Sequence, residues 1–364
     1  METQEETRQE SAAPPEEELG EPTAPPFTVQ VQGLDEEPAR LLGNKVHGYI
    51  TVLSTYIDLE RLDGVTVAVD YSAALAQLDR GFEATLPLSA TDDGIVIGAA
   101  MTPGVMRDGV VKSHIVINAN VIWPLVAVEN DKAKDDSHRQ ALYLLAHECG
   151  HVEVFKLNDL AMPDILLKKS FGTIDETVRW QTIMPCWDEY AASRLSASFG
   201  IQWPYYEETF VKSLQQTWGR ANDFIRAYRL HGNLEQVIGE VTNAYGNLIK
   251  YASYLLGDLH GHGLDTSVLK AAQPELADDW FGPYFERLEK AMADAWEHRG
   301  GPGFRERAEL IGTIAARGRW HVLREAGRRD HLRRHPVHVL QHAARINIRP
   351  ASLAALPPAR CESS

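Results

Sequence analysis

Two histidines four residues apart, with a glutamate directly after the first, are the side chains in this sequence best suited to chemistry. They lie in Leu144-Leu-Ala-His147-Glu148-Cys149-Gly150-His151. On a helix, positions i and i+4 share one face a turn apart, so both imidazoles can reach a single metal ion. Glu148 lies off that line, beside a metal-bound water rather than on the metal. This HExxH arrangement is the signature of a zinc-dependent peptide hydrolase with the glutamate as general base. Zn²⁺ is the expected ion, with iron, cobalt or manganese as ions that accept similar donors. A catalytic zinc keeps three protein ligands and one open position, so a third donor must come from elsewhere in the chain. Two sources stand out. Glu189, in Trp187-Asp-Glu-Tyr-Ala-Ala-Ser-Arg, is flanked by Ala191, Ala192 and Ser193, small enough to let its helix pack closely on the first. The other source is Asp175 or Glu176 in Gly-Thr-Ile-Asp-Glu. Asp188, beside Glu189, is a candidate to orient a ligand histidine through its second ring nitrogen.

The elements around the motif must hold it still. Asp136 or Ser137 is a suitable N-cap for the motif helix. Leu142, Leu145, Cys149 and Val152 recur at helical spacing and predict a packed stripe facing away from the histidines. Upstream, 41–62 reads as a helix, and GVTVAVDY alternates as a strand, with Val65, Val67 and Val69 on one face. FEATLPL and GIVIGAA are further strand candidates, joined by the hairpin residues Thr91-Asp-Asp-Gly94. VVKSHIVIN, Val110 to Asn118, alternates again. Residues 64–118 therefore predict a small, mostly antiparallel sheet, and the chain is helical after Asp136. Amphipathic patterns run over 204–230, 233–257, 276–298 and 304–345. The expected fold is α+β: a zincin-like antiparallel sheet packed on the HExxH helix, followed by an all-helical C-terminal extension.

Composition narrows the function classes. The 364 residues are 44% apolar and 24% charged, with a net charge of −15. An acidic chain is poorly suited to non-specific nucleic-acid binding. No run approaches the roughly 20 apolar residues of a membrane helix, and the N-terminus lacks a secretory pattern. Three cysteines, Cys149, Cys186 and Cys361, do not make a disulfide framework. A cytoplasmic enzyme is the expectation. Residues 1–40 carry eleven acids against Arg8 and Arg40, and they are rich in proline. Residues 304–349 reverse the sign, with eleven arginines and four acids. The expected organisation is an acidic, disordered tail over 1–37, a metallopeptidase domain over 38–200, a helical extension over 201–303, an Arg-rich helical segment over 304–350 and a tail over 351–364.

The order of Ile115-Val-Ile-Asn118, then Leu144-Leu-Ala-His147-Glu148-Cys149-Gly150-His151, then Glu189-Tyr-Ala-Ala192-Ser-Arg-Leu195 resembles the ImmA/IrrE family of metallopeptidases. Ile57-Asp-Leu-Glu-Arg-Leu-Asp-Gly-Val-Thr-Val also looks like that family's lead-in. The resemblance covers about residues 45–200. It departs from the family at Ser193, where asparagine is usual, and in a longer gap before Glu189. It implies His147, His151 and Glu189 as zinc ligands and Glu148 as catalytic base. A regulatory protein, such as a transcriptional repressor, is the substrate it suggests.

An extended peptide is the expected partner, added to the sheet along 110–118 if that strand is an edge. Tyr190, Tyr205 and Tyr206 are candidate oxyanion donors by chemistry alone. The alternative reading is a non-catalytic regulatory or binding protein on the same scaffold, in which the Arg-rich helical half does the work. Arg317, Arg319, Arg324, Arg328, Arg329, Arg333 and Arg334 could then meet nucleic acid, although almost no aromatic residues interleave them. Asp258, His260 and His262 look metal-like but read better as a helix end, with Gly257, Gly261 and Gly263 as breakers. Cys149 reads as a packing residue; Cys186 would be redox-sensitive if exposed.

Overall fold

The computed structural model describes residues 20–83, 87–92, 94–126, 136–163, 165–167 and 174–314. The expectations for 1–19, Asp175's side chain, the Arg-rich residues from Arg317 onward and Cys361 lie outside that set.

The chain opens with β1 (Val29–Gln32), α1 (Glu36–Leu53) and β2 (Leu62–Ala68). It continues through α2 (Tyr71–Gln77), β3 (Ala100–Met101), β4 (Gly104–Arg107) and β5 (Val110–Asn118). The sheet order is β1-β2-β5-β3, with β4 also paired to β5. This corrects the expected antiparallel sheet: β1 with β2, and β2 with β5, are parallel, while only β3 and β4 run antiparallel to β5. The helix crossover of α1 carries the chain back before β2, which parallel pairing requires. It also corrects the N-terminal boundary, because β1 falls inside the segment expected to lack a core. Val29 and Val31 pack on the core there, which the surrounding acids and prolines concealed.

Alternation in β2 and β5 sorts the sheet faces as the sequence indicates. Val65, Val67, Ile115 and Ile117 join α1 and the motif helix in one core, while Ala68 and Val116 face α2. Of GIVIGAA, only Ala100 enters a paired strand, and Ile97 makes an isolated bridge to Asp92. The described residues of FEATLPL form no strand. Pro103 has no N–H to offer a ladder, and it separates β3 from β4 along the same side of β5. Asp108-Gly109, both at positive φ, turns β4 into β5.

After α3 (Ala119–Ile122) come the motif helix α4 (Asp136–Ala161) and α5 (Ile174–Ser196), which carries Glu189. Then α6 (Trp203–His231) and α7 (Leu234–Gly261) form an antiparallel pair. Gly232, at φ 67, ends the first, and the Asn233 side chain accepts from Gln236 N to start the second. Next are α8 (Ala272–Asp278), α9 (Gly282–Glu297) and a helical stretch over 304–314. A second core, built around Trp180, Trp187, Phe210, Leu255, Phe285 and Phe304, joins α5 to these helices. So α4 belongs to the sheet core, α5 to the helical core, and the candidate ligands lie where the two meet.

That seam is tight. A Cβ on Gly150 would stand 3.1 Å from the Ala192 backbone, so the small residues of α5 do admit the motif helix closely. On the other side of α5, a Cβ on Gly257 would stand 2.2 Å from the Tyr190 carbonyl oxygen. This corrects the reading of Gly257 as a breaker, since α7 runs through it, whereas the helix does end at Gly261 as expected; both glycines also allow close approach to α5. Among the described residues no helix is long and apolar enough to cross a membrane.

Candidate metal centre

Leu145, Cys149 and Val152 are fully buried on the sheet side of α4. That anchoring fixes the rotation of the helix and turns His147 and His151 toward α5. Nε2 of His147 and Nε2 of His151 each lie 3.3 Å from the same Oε2 of Glu189. Among the described residues, these three form the group of His, Cys, Asp and Glu side chains placed to hold a metal ion, their ligand atoms all within 4.8 Å of one another.

The donor set could hold a metal ion such as zinc. Metal–ligand bonds of about 2.0–2.1 Å in a tetrahedron put neighbouring ligand atoms about 3.3–3.4 Å apart. The two histidine-to-glutamate separations have that length, and two imidazoles with one carboxylate leave a fourth position open. Glu176, the rival donor, pairs instead with Arg305 at 3.7 Å.

Electrostatics favours a charged cluster. Burial opposes ionisation of Glu189, but hydrogen bonds to both histidines outweigh it and hold the carboxyl well below its ordinary range. Burial also disfavours charge on His151, yet Glu189, Glu148 and Asp188 raise its pKa to about 9. In a metal-free pocket, a proton on the His151 imidazole stands in for the cation. Asp188, the expected orienter, is pushed up to about 7 by burial, is drawn back by the charge of His151, and accepts a hydrogen bond from Asn158 Nδ2 at 2.9 Å. Asn158 in turn accepts from Trp187 Nε1 at 3.0 Å.

Glu148 is buried beside the ligands without joining them. The Thr102 hydroxyl lies 2.6 Å from its Oε2 and donates to it. Sequence reasoning missed Thr102, one residue past the two-residue strand β3 and without any motif of its own. It also missed Tyr254 of α7. The Tyr254 ring stacks on His147 at 5.7 Å between centroids, with Tyr143 stacked on the same imidazole at 6.1 Å. Burial, and then the negative charge of Glu189, keep the Tyr254 phenol protonated, so it donates to that carboxylate.

The tyrosines named as oxyanion donors are engaged elsewhere. Tyr190 shares its hydroxyl with His260 and Arg194, Tyr206 is paired with Tyr143, and Tyr205 is exposed. Asp258, His260 and His262 form no metal group. Asp258 accepts from the backbone N–H of Gln202 and Trp203 at the start of α6, His260 meets Tyr190 and Glu289, and His262 meets the Gly200 carbonyl. Cys149 and Cys186 are buried, and burial pushes the Cys186 thiol up to about 12, which removes the condition for redox sensitivity. β5 is not an edge: β2 lies on one side of it and β3 and β4 on the other, so among the described residues β3 and β4 form that margin of the sheet.

No family model, curated protein or solved structure matches this chain.

Proposed function

We propose that this protein is a zinc-dependent metallopeptidase of the ImmA/IrrE-like, zincin type, acting in the cytoplasm on a protein or peptide substrate. The observation that carries the reading is the convergence of His147, His151 and Glu189 from two helices, with Glu148 buried next to them and held outside the ligand set. A purely structural site needs the ligands but has no use for a poised carboxylate.

When bound, zinc would supply a water acidified to a pKa of about 7 and an electrophile for the scissile carbonyl. His147, His151 and Glu189 would hold the ion. Glu148 accepts the proton of the attacking water and returns it to the leaving amine. Thr102 engages Oε2 of Glu148, which leaves Oε1 to take that proton. Tyr143 and Tyr254 both stack on His147 and limit the access of water to it. An extended peptide added along β3 would bring its carbonyl past Glu148 and Thr102.

The test is metal content together with cleavage of a proteome-derived peptide library. Wild type and Glu148→Gln should carry near-stoichiometric zinc, and Glu189→Ala should not. Cleavage should be confined to wild type, with Glu148→Gln slower by about 10²–10⁴-fold, the range for losing a general base. Absence of metal from replete wild-type protein, or equal cleavage by Glu148→Gln, would overturn the proposal.

A further inference from the structure

An open cleft of about 380 Å³ lies beyond the C-terminal ends of β2 and β5, lined by Val69, Asp70, Tyr71, Ser72, Ile97 and Asn118 among others. The two strands are parallel neighbours whose following helices leave to opposite faces: α2 packs with Ala68 and Val116, and α3 packs with Ile115 and Ile117. A crevice at such a divergence is where open sheets with parallel strands characteristically take ligands.

Three further observations bear on what this one takes. Its rim is apolar and solvent-facing, with Ile97 74% and Val69 41% exposed. Tyr71, which lines the cleft, is 5% exposed, with its hydroxyl buried. The cleft is also continuous with the sheet margin that leads to Glu148. Ile97 and Gly98 line the cleft, β3 follows, and Thr102 holds Glu148. The chain between them is extended, since Ala99 O accepts from Asn118 N at 2.9 Å and Pro103 O from His114 N at 3.0 Å. From Gly98 to Thr102 is four residues, about 13 Å at ~3.3 Å each. Electrostatics gives the same adjacency: burial, and then the charge of Glu148, push the Tyr71 phenol up.

We infer that this cleft is a distal specificity subsite, which seats a bulky apolar side chain of an extended peptide three or four residues from the scissile bond. This rests on the metallopeptidase reading for its scissile bond. Val69 and Ile97 receive the apolar side chain beside the largely buried Tyr71. The substrate class is therefore an extended or unfolded segment with an apolar residue at that remove, rather than a small molecule or a compact folded surface.

The experiment uses the full chain loaded with zinc and a library of random ten-residue peptides. Wild type, Ile97→Asp, Ser72→Trp and Tyr71→Phe are compared for cleavage preference. The same three changes in a Glu148→Gln background are compared for capture of intact peptides. Positions 72 and 97 are exposed, and zinc content with circular dichroism confirms that each variant is folded. Wild type should select Leu, Ile, Met or Phe three or four residues from the cut by about tenfold, the scale of a hydrophobic pocket contact. Ile97→Asp and Ser72→Trp should each abolish that selection. Tyr71→Phe, which removes only a buried hydroxyl, should retain it. Cleavage without a distal apolar preference, or a preference that survives both rim changes, would overturn the subsite and leave the peptidase standing. Capture of apolar peptides that depends on Ile97, with no cleavage by wild type, would overturn the peptidase and keep the cleft as a peptide site. Neither cleavage nor capture would overturn both.

Discussion

His147, His151 and Glu189 converge on one space, whereas Asp258, His260 and His262 do not, although both sets are two histidines and a carboxylate. In the first, the i,i+4 pair faces a carboxylate arriving from a different helix, and all three side chains point into one space. In the second, all three side chains belong to α7 and its immediate end, and although His262 lies 3.7 Å from Asp258, each is also committed to another partner. Asp258 closes the start of α6, His260 serves Tyr190 and Glu289, and His262 serves Gly200. The carboxylates differ in kind as well. Glu189 is held ionised by its imidazoles, while burial raises Asp258 despite His262 and two N–H donors. A metal site needs donors with nothing else to satisfy, and helix spacing alone does not provide that.

The sharpest break in this comparison is ligand removal. Glu189→Ala should weaken zinc binding by more than about 100-fold, since even outer partners of ligands are worth 10–100-fold. His260→Ala and His262→Ala should leave stoichiometry unchanged; chelator competition reads both. Helix approach comes next. Gly257→Ala drives a Cβ into the Tyr190 carbonyl and should cost about 1–3 kcal/mol in urea unfolding. Gly219→Ala, on α6 with open space around it, should stabilise by about 0.5–1 kcal/mol. Tyr254→Phe removes the hydroxyl that donates to Glu189 and should weaken zinc by about tenfold while leaving the fold intact.

The pH responses should differ most subtly. In the metal-free protein, the contribution of Glu189 is present above its ordinary value of 4.5 and is lost as pH falls through its lowered folded value. That of His151 is present below 6.5 and is lost as pH rises through about 9. Asp258 is raised in the fold, so its contribution is present below 3.8 and is lost as pH rises through the folded value. Urea midpoints across pH should show the alkaline loss disappearing on zinc loading. Asp258→Asn should flatten the slope just above pH 4 without touching the alkaline limb.

Much of the centre was legible because helical periodicity is a local property. His147, Glu148 and His151 could be placed relative to Leu145 and Cys149 from spacing alone, and the stripe is buried as that spacing requires. Glu189 was legible through its small neighbours, which the close approach at Ala192 uses. Thr102, Tyr71 and Tyr254 were not legible, because each reaches the centre or its cleft from an element with no periodic relation to the motif. β1 was hidden by composition: four residues with two inward valines carry little signal among acids and prolines.

The sequence by itself determined the motif helix, the alternating strands β2 and β5 and the helical character of the second half, all consequences of repeats within a few residues. Tertiary structure alone decided that β2 and β5 run parallel, that β3 is the margin nearest Glu148, and that Gly257 is a contact rather than a helix end. Those outcomes depend on which surfaces meet across the chain. The spacing of side chains along a helix is set by its own backbone, but the partner each side chain meets is set by how two cores close against one another.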